Sequence, residues 1–218
     1  MATRGIIGTN RQFKIGKIVC LARNYAEHAR ELGNETPAAP VLFMKPASSV
    51  IGDREMVHIP AYSQECHYEV ELAVLIGTHA SHVTADVAME CIAGYGVAID
   101  MTLRDVQNQL KAKGLPWEIA KGFDTACPLS DFVPASAVAD PHALCLKLAV
   151  NGLTHQNGTS SDMINRIPQI ISHISAIFTL EPGDVILTGT PAGVGQVIAG
   201  DVMIAEIESV GCLTIAVD

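Results

Sequence analysis

Apolar residues in this chain come in short runs, and the length of those runs limits the fold more than any other feature. Eight stretches read as strands: residues 17–22, 41–44, 67–76, 92–101, 144–150, 184–188, 201–207 and 213–217. Apolar runs such as VELAVLIG and IAGYGVAI are interrupted by glycine or a charge, and none nears the roughly 20 apolar residues of a membrane-spanning helix. Helices are fewer. One is expected over residues 25–32, closing at Gly33. A second follows Thr102, whose hydroxyl can cap it with Asp105 three residues on, and ends near Lys111, Lys113 and Gly114. A third runs from Ser161 or Asp162 to about Phe178, kinked or shortened by Pro168. Because strands do not alternate regularly with helices, a doubly wound parallel sheet is disfavoured. The expected class is α+β and β-rich, a mixed sheet folded over itself as a sandwich or roll.

With 218 residues, 49% of them hydrophobic, the chain can bury a full core. It shows no repeat of fixed period, no low-complexity tract and no linker-like shift in composition, so one domain is the working reading. Its first residues, MATRGIIGTNRQFKIGK, lack the continuous apolar core of a secretory signal, and a cytoplasmic protein is expected. A net charge of -9 without clustered Lys and Arg argues against a nucleic-acid partner and for a small molecule or a protein. The six cysteines, Cys20, Cys66, Cys91, Cys127, Cys145 and Cys212, are scattered without C-x-x-C spacing and read as buried reduced thiols.

The run His67 to Gly77, HYEVELAVLIG, carries two carboxylates inside apolar sequence. As a strand it sends Glu69, Glu71 and Ala73 to one face and Val70, Leu72 and Val74 to the other. Two like charges roughly 7 Å apart need solvent, a basic partner or a cation to compensate them. An exposed strand face would suffice. A third acid, Asp100, closes the strand IAGYGVAID just before the second helix, where it is either a turn residue or a side chain delivered to a pocket mouth. Three carboxylates without His or Cys ligands favour a hard cation, Mg²⁺ or Mn²⁺, with about three of six positions left for water or substrate. His67 shares the Glu69 face and reads as a packing or supporting residue.

In RNYAEHARELG, His28 and Glu31 are three apart on one helical face, the arrangement of a carboxylate-oriented general base or of an ordinary solvated helix. Arg104 and Gln107 repeat that spacing after Asp100, and Lys121 follows; Arg104 and Lys121 are the cations an anionic substrate would need. The segment LTGTPAGVG, with Thr188, Gly189, Thr190, Gly193 and Gly195, lacks the features of a phosphate loop and reads as a tight loop offering a hydroxyl and backbone N–H groups to a carboxylate.

Together, RNYAEH, PVLFMKP, HYEVELAVLIG, GYGVAIDMTLRDVQ, GLPWEIAKGFD and ILTGTPAGVG, in that order over about residues 17–210, resemble the fumarylacetoacetate hydrolase family, and most of all its short acylpyruvate and fumarylpyruvate hydrolases. The resemblance implies a mixed β-roll over residues 17–218 behind an N-terminal extension of residues 1–16, a homodimer, and one Mg²⁺ or Mn²⁺ on Glu69, Glu71 and Asp100. It implies a catalytic dyad of His28 and Glu31, a basic Lys121, and substrate contacts from Arg104, Gln107 and Thr190. Arg23 and Lys45 lie in matching motifs too, as candidates for the cation that would hold the distal carboxylate of a fumaryl group. Ala22 departs from the glycine many relatives carry there, without removing a chemical group. The activity implied first is hydrolysis of the carbon–carbon bond of a 2,4-diketo acid, fumarylpyruvate foremost, to pyruvate and a carboxylic acid. Oxaloacetate decarboxylation and keto–enol tautomerisation of oxaloacetate or a 2-hydroxy-dienoate are the rivals. A water-activating dyad favours hydrolysis, since decarboxylation does not need it.

Overall fold

A computed structural model describes residues 2–33, 35 and 37–218. At its centre lies a six-stranded sheet in the order Val133–Pro134, Ile92–Ile99, Val70–Ile76, Val185–Leu187, Ile18–Ala22, Val41–Lys45, antiparallel except where Val185–Leu187 runs parallel to Ile18–Ala22. A five-stranded sheet, Leu153–Thr159, Cys145–Val150, Val202–Ile207, Gly211–Val217 and Met56–Val57, packs across it. Alternation assigns the side chains. Val70, Leu72, Val74 and Ile76 enter the core between the sheets with Leu146, Leu148, Met203 and Leu213. Ala73 and Leu75 point the opposite way, into a second core with Ile18, Leu129, Phe132 and Leu187. With both faces covered, every residue of Val70–Ile76 and Ile92–Ile99 is buried, whereas Val202–Ile207 alternates exposed and buried because only one of its faces is covered. This is the mixed sandwich expected of the sequence.

The first sixteen residues do more than extend the chain. Beyond Met1, which lies outside the described residues, Thr3–Gly5 and Gln12–Lys14 form an antiparallel hairpin, and Ile6 and Ile15 complete the second core.

Several expected elements change. The strand of residues 67–76 breaks at Glu69: Cys66–Tyr68 leaves the central sheet and pairs with Thr102–Leu103 and Gly195–Val197 in a small three-stranded sheet. Likewise the strand of residues 92–101 ends at Ile99. The first helix, α1, is Ala26–Glu31, with Gly33 at φ +64° just beyond its end. The second, α2, is Arg104–Ala112; its cap position is Leu103, with no side-chain cap, because the Thr102 hydroxyl is bound by Lys121. Asp105 accepts from Ser63 Oγ and Gln64 N, tying down the turn before Cys66. A short helix, α3, covers Glu118–Lys121. The long third helix of the sequence reading is a 3₁₀ turn, Ser160–Asp162, followed after a break by α4, Ile167–Ser175, with Pro168 in its first turn where the missing N–H costs nothing. Leu153–Thr159 was not expected as a strand, since LTHQNGT has too little apolar character to signal one. No helix among the described residues is long and apolar enough to cross a membrane.

Candidate active site

Strand register brings the three acids together. Val70 pairs with Ile99 and Glu71 with Ala98, so the same antiparallel count sets Glu69 opposite Asp100, whose N–H donates to the Glu69 carbonyl at 2.8 Å. Glu69 and Asp100 are thus direct neighbours across the strands and Glu71 lies diagonally on the same face. One carboxylate oxygen from each lies within 4.8 Å of the others, and all three residues are buried, at 4%, 1% and 0% exposure. Exposed strand acids they are not.

Buried like charges demand compensation. Lys121, at the end of α3, places Nζ 2.9 Å from Glu69 Oε2, 2.7 Å from Asp100 Oδ2 and 2.6 Å from Thr102 Oγ1. Arg104, at the start of α2, hydrogen-bonds Glu69 Oε1 through one terminal nitrogen and Gln107 Oε1, at 2.7 Å, through the other. Lys45, 1% exposed, sits 2.7 Å from Asp100 Oδ1 and donates to the carbonyls of Met101, Lys121 and Ala126. Lys45 therefore holds the floor of the site from beneath. Burial opposes ionisation of Glu69, but Lys121 and Arg104 outweigh it and hold that carboxyl well below the usual range. Glu71 goes the other way: burial, then the charges of Asp100 and Glu69, raise it well above the usual range, and the Gly189 N–H, 2.6 Å from Oε2, only partly counters them.

The loop after Val185–Leu187 supplies that N–H. Gly189 has φ +94°, and a Cβ there would stand 2.8 Å from the Asn24 Cβ, so the chain needs glycine to approach Glu71. Gly193, at φ +100°, sends its N–H to both Glu31 oxygens at 3.1 and 3.2 Å. The loop does bind carboxylates, but they are the protein's own. Thr190 lines the cavity with its Oγ1 held by Gln156 Nε2 at 2.8 Å, and Gln156 also donates to the Pro191 carbonyl and accepts from Val70 N at 2.9 Å. Gln156 is wholly buried on the unexpected strand and joins that loop to the acidic strand. Sequence reasoning missed it, because a lone Gln in a polar stretch carries no signal.

On α1 the three-residue spacing puts His28 Nδ1 3.4 Å from Glu31 Oε2. His28 is buried and lines a cavity of about 40 Å³ together with Arg23, Phe43, Glu69, Glu71, Arg104, Gln107, Lys111, Lys121 and Thr190. At about 10–15 Å³ of such volume per water molecule, that cavity suits a compact ligand. Seven of the nine residues expected at the site line it; Asp100 is bonded to one of them, Lys121, and Glu31 to another, His28. Arg104 and Lys121, expected as free cations for the substrate, are instead paired with Glu69, because a buried carboxylate holds its counter-charge. His67 stays off the acids: its Nδ1 is buried without a partner, and burial, then Arg104, push its imidazolium down to about 4. Arg23, the residue after Ala22, takes a left-handed φ of +60°, a conformation that costs a non-glycine residue about 1 kcal/mol.

The donor set suits a hard divalent cation. Three buried carboxylate oxygens converge, and among the described residues Glu71 forms no ion pair, its Oε2 taking only the Gly189 N–H.

The family described as fumarylacetoacetate (FAA) hydrolase C-terminal matches residues 17–218. The chain is 49% identical over 202 residues to the oxaloacetate tautomerase FAHD1, mitochondrial, of Bos taurus, covering 92% of this chain and 91% of that one. It is 48% identical over 195 residues to the oxaloacetate tautomerase YcgM of Escherichia coli K12, 89% of either chain. Its fold is similar to the crystal structure of a fumarylpyruvate hydrolase from Pseudomonas aeruginosa in complex with Mn²⁺ and pyruvate, with a TM-score of 0.95 and 35% identity over 99% of this chain and 95% of that one.

Proposed function

Because the chain belongs to the fumarylacetoacetate hydrolase family, we propose that it is a metal-dependent tautomerase interconverting the keto and enol forms of oxaloacetate. One observation carries the reading: a buried, carboxylate-oriented imidazole, His28, shares a small cavity with a metal-suited acid triad. Tautomerisation needs one group to carry a proton between C3 and the C2 oxygen, and no room for a second reactant. The Bos taurus and Escherichia coli relatives, 49% and 48% identical, are named for this reaction, which moves it ahead of the hydrolysis that the sequence motifs first suggested.

Glu69, Glu71 and Asp100 would hold Mg²⁺ or Mn²⁺. That ion would supply Lewis-acid stabilisation of negative charge on the substrate's keto oxygen. His28 takes a proton from C3 while Glu31, through Nδ1, fixes the ring and stabilises its protonated form. The C–H electron pair becomes the C2–C3 double bond, and charge moves to the C2 oxygen, with the Lys121 ammonium nearby. That oxygen then takes the proton back from the imidazolium, so His28 is unchanged at the end. Thr190 and Gln107 line the cavity and orient the substrate. A homodimer in the cytoplasm belongs to this reading, with sedimentation and cell fractionation as its checks.

Acylpyruvate hydrolysis is the second reading, favoured by the same dyad, which could instead deprotonate a water. The deciding experiment follows enol absorbance of oxaloacetate, and pyruvate release from oxaloacetate, acetylpyruvate and fumarylpyruvate, with Mn²⁺ or with EDTA. Tautomerisation with the highest kcat/KM, abolished by EDTA and by His28→Ala, supports the proposal. Faster hydrolysis of an acylpyruvate replaces it with the second reading.

A further inference from the structure

Beside its acids the cavity has an aromatic wall, and the chemistry above gives that wall no part. Phe43 lies on Val41–Lys45, an edge strand of the central sheet. Cross-strand pairing sets it in a row with Cys20, Leu187 and Ala73, on the face that also carries Glu71. Trp117 stands at the cap position of α3, where its carbonyl accepts the Ala120 and Lys121 N–H groups at 2.8 and 3.0 Å. The two rings meet as a tilted pair, with centroids 5.9 Å apart and planes at 55°. The Lys121 ammonium lies 4.9 Å from the centroid of the Phe43 ring, close enough for a cation–π contact. Phe43 is thus held both by the cation that the acids fix and by the residue that starts that cation's helix.

Both rings line a second hollow as well. It is a groove of about 250 Å³ that includes Leu42, Leu115 and Pro116, against about 40 Å³ for the catalytic cavity. Among the described residues the one charged group lining it is Glu118, which repels a carboxylate and leaves the groove suited to an apolar chain.

We propose that Phe43 and Trp117 set the length of substrate the site accepts. Their rings end the cavity at the size of a short 2-keto acid such as oxaloacetate, and they keep a longer apolar chain from reaching the groove behind them. This rests on reading the site as one for 2-keto acids, and not on which reaction follows.

The test measures binding by calorimetry on the full-length, Mn²⁺-loaded protein, with pyruvate, 2-ketobutyrate, 2-ketohexanoate and 2-ketooctanoate. In the parent protein the dissociation constant should rise about tenfold or more from pyruvate to the two longest acids, which the wall obstructs. In Phe43→Ala the order should reverse, with each methylene that enters the groove tightening binding about fourfold. Constants taken relative to that of pyruvate remove whatever Lys121 loses with the ring. Trp117→Ala, which leaves the contact of Lys121 with Phe43 in place, should give the same reversal, and Phe43→Tyr, which keeps a ring, should keep the parent's order. Trp117 is the chain's only tryptophan, so in Phe43→Ala its emission should shift more with 2-ketooctanoate than with pyruvate. If one alanine variant does not fold, the other decides. A parent that binds 2-ketooctanoate as tightly as pyruvate overturns the proposal, as does the parent's order in every folded alanine variant. Failure of pyruvate to bind the parent removes the 2-keto acid reading and the wall with it. Binding of 2-keto acids without tautomerisation of oxaloacetate defeats the proposed function alone.

Discussion

Glu69 and Glu71 are two residues apart on one strand face, yet the two sides of the site they anchor are built in opposite ways. Around Glu69 the chain supplies cations: Lys121 and Arg104 bond its oxygens, and Lys45 supports the neighbouring Asp100. Around Glu71 the one hydrogen bond among the described residues is from the Gly189 N–H. The first carboxyl is driven toward ionisation and the second away from it. A site meant only to be stable would pair both acids or have neither, since an uncompensated buried carboxyl is costly. On the metal-dependent reading proposed above, the Glu69 side would be scaffold as well as ligand, and the Glu71 side would take its charge from outside.

Substitution should therefore separate the two. Glu71→Gln is expected to abolish divalent-ion binding and to lower kcat/KM by about 10³-fold or more, roughly 4 kcal/mol, while changing stability without metal by less than about 1 kcal/mol. Glu69→Gln should also reduce activity, but it strips Lys121 and Arg104 of their main partner and should cost about 3–5 kcal/mol of folding stability. Mn²⁺ calorimetry beside urea unfolding measures both quantities. Equal loss of stability in the two variants would erase the distinction.

Metal removal sharpens the same contrast at smaller scale. A ligand at a hundred times its dissociation constant stabilises the folded state by about 2.7 kcal/mol. For a chain of this length that raises the melting temperature by about 5–10 °C. The parent protein should show this rise with Mn²⁺ and lose it with EDTA, whereas Glu71→Gln should show none under either condition.

The acids were legible in the sequence for a simple reason. An i, i+2 pair on a strand shares a face whatever the strand pairs with, and an acid ending the adjacent strand falls opposite it once the two run antiparallel. Equally legible was the i, i+3 contact of His28 with Glu31, which needs only a helix. Contacts made at long range were not. Lys45 looked like a candidate for substrate, and only the fold shows it spent on three carbonyls and Asp100. The strand break at Glu69 was hidden because the sequence stays strand-like through it while hydrogen bonding switches from one sheet to another. Leu153–Thr159 was invisible because its stability comes from pairing and from Gln156, not from apolar side chains.

Gln156 offers the next test in size. Its amide joins Val70 N, Thr190 Oγ1 and the Pro191 carbonyl, linking the acidic strand to the loop that serves Glu71. Gln156→Leu keeps the volume but leaves buried polar groups unpaired, at about 1–3 kcal/mol. The loss should appear in urea unfolding. KM should rise through the freed Thr190, while Mn²⁺ affinity, which depends on the acids, should change less.

The smallest effect concerns the thiols, where exposure divides the molecule again. Cys20, Cys66, Cys91 and Cys127 are buried as expected, but Cys145 is only half-buried and Cys212 is exposed, because each lies near the start of its strand and alternates with a core leucine, Leu146 or Leu213, so it faces away from the core. Burial pushes the Cys66 and Cys127 thiols up to about 12, and the nearby Lys45 does not offset it. Only the thiolate reacts, so at pH 8 these two present about one reactive form in 10⁴, against roughly one in four for an ordinary thiol. The sign follows: the reactive fraction of Cys66 and Cys127 rises tenfold per pH unit up to about 12, while the Cys212 thiol, which burial and then Glu206 raise less, levels off at lower pH. Maleimide at pH 8 should label two cysteines in the folded protein and all six in urea, and blocking those two should shift stability by no more than about 0.5 kcal/mol. Rapid labelling of Cys127, which lies beneath the site near Lys45 and Asp100, would mean that the paired side of the site opens to solvent and is not the rigid half described above.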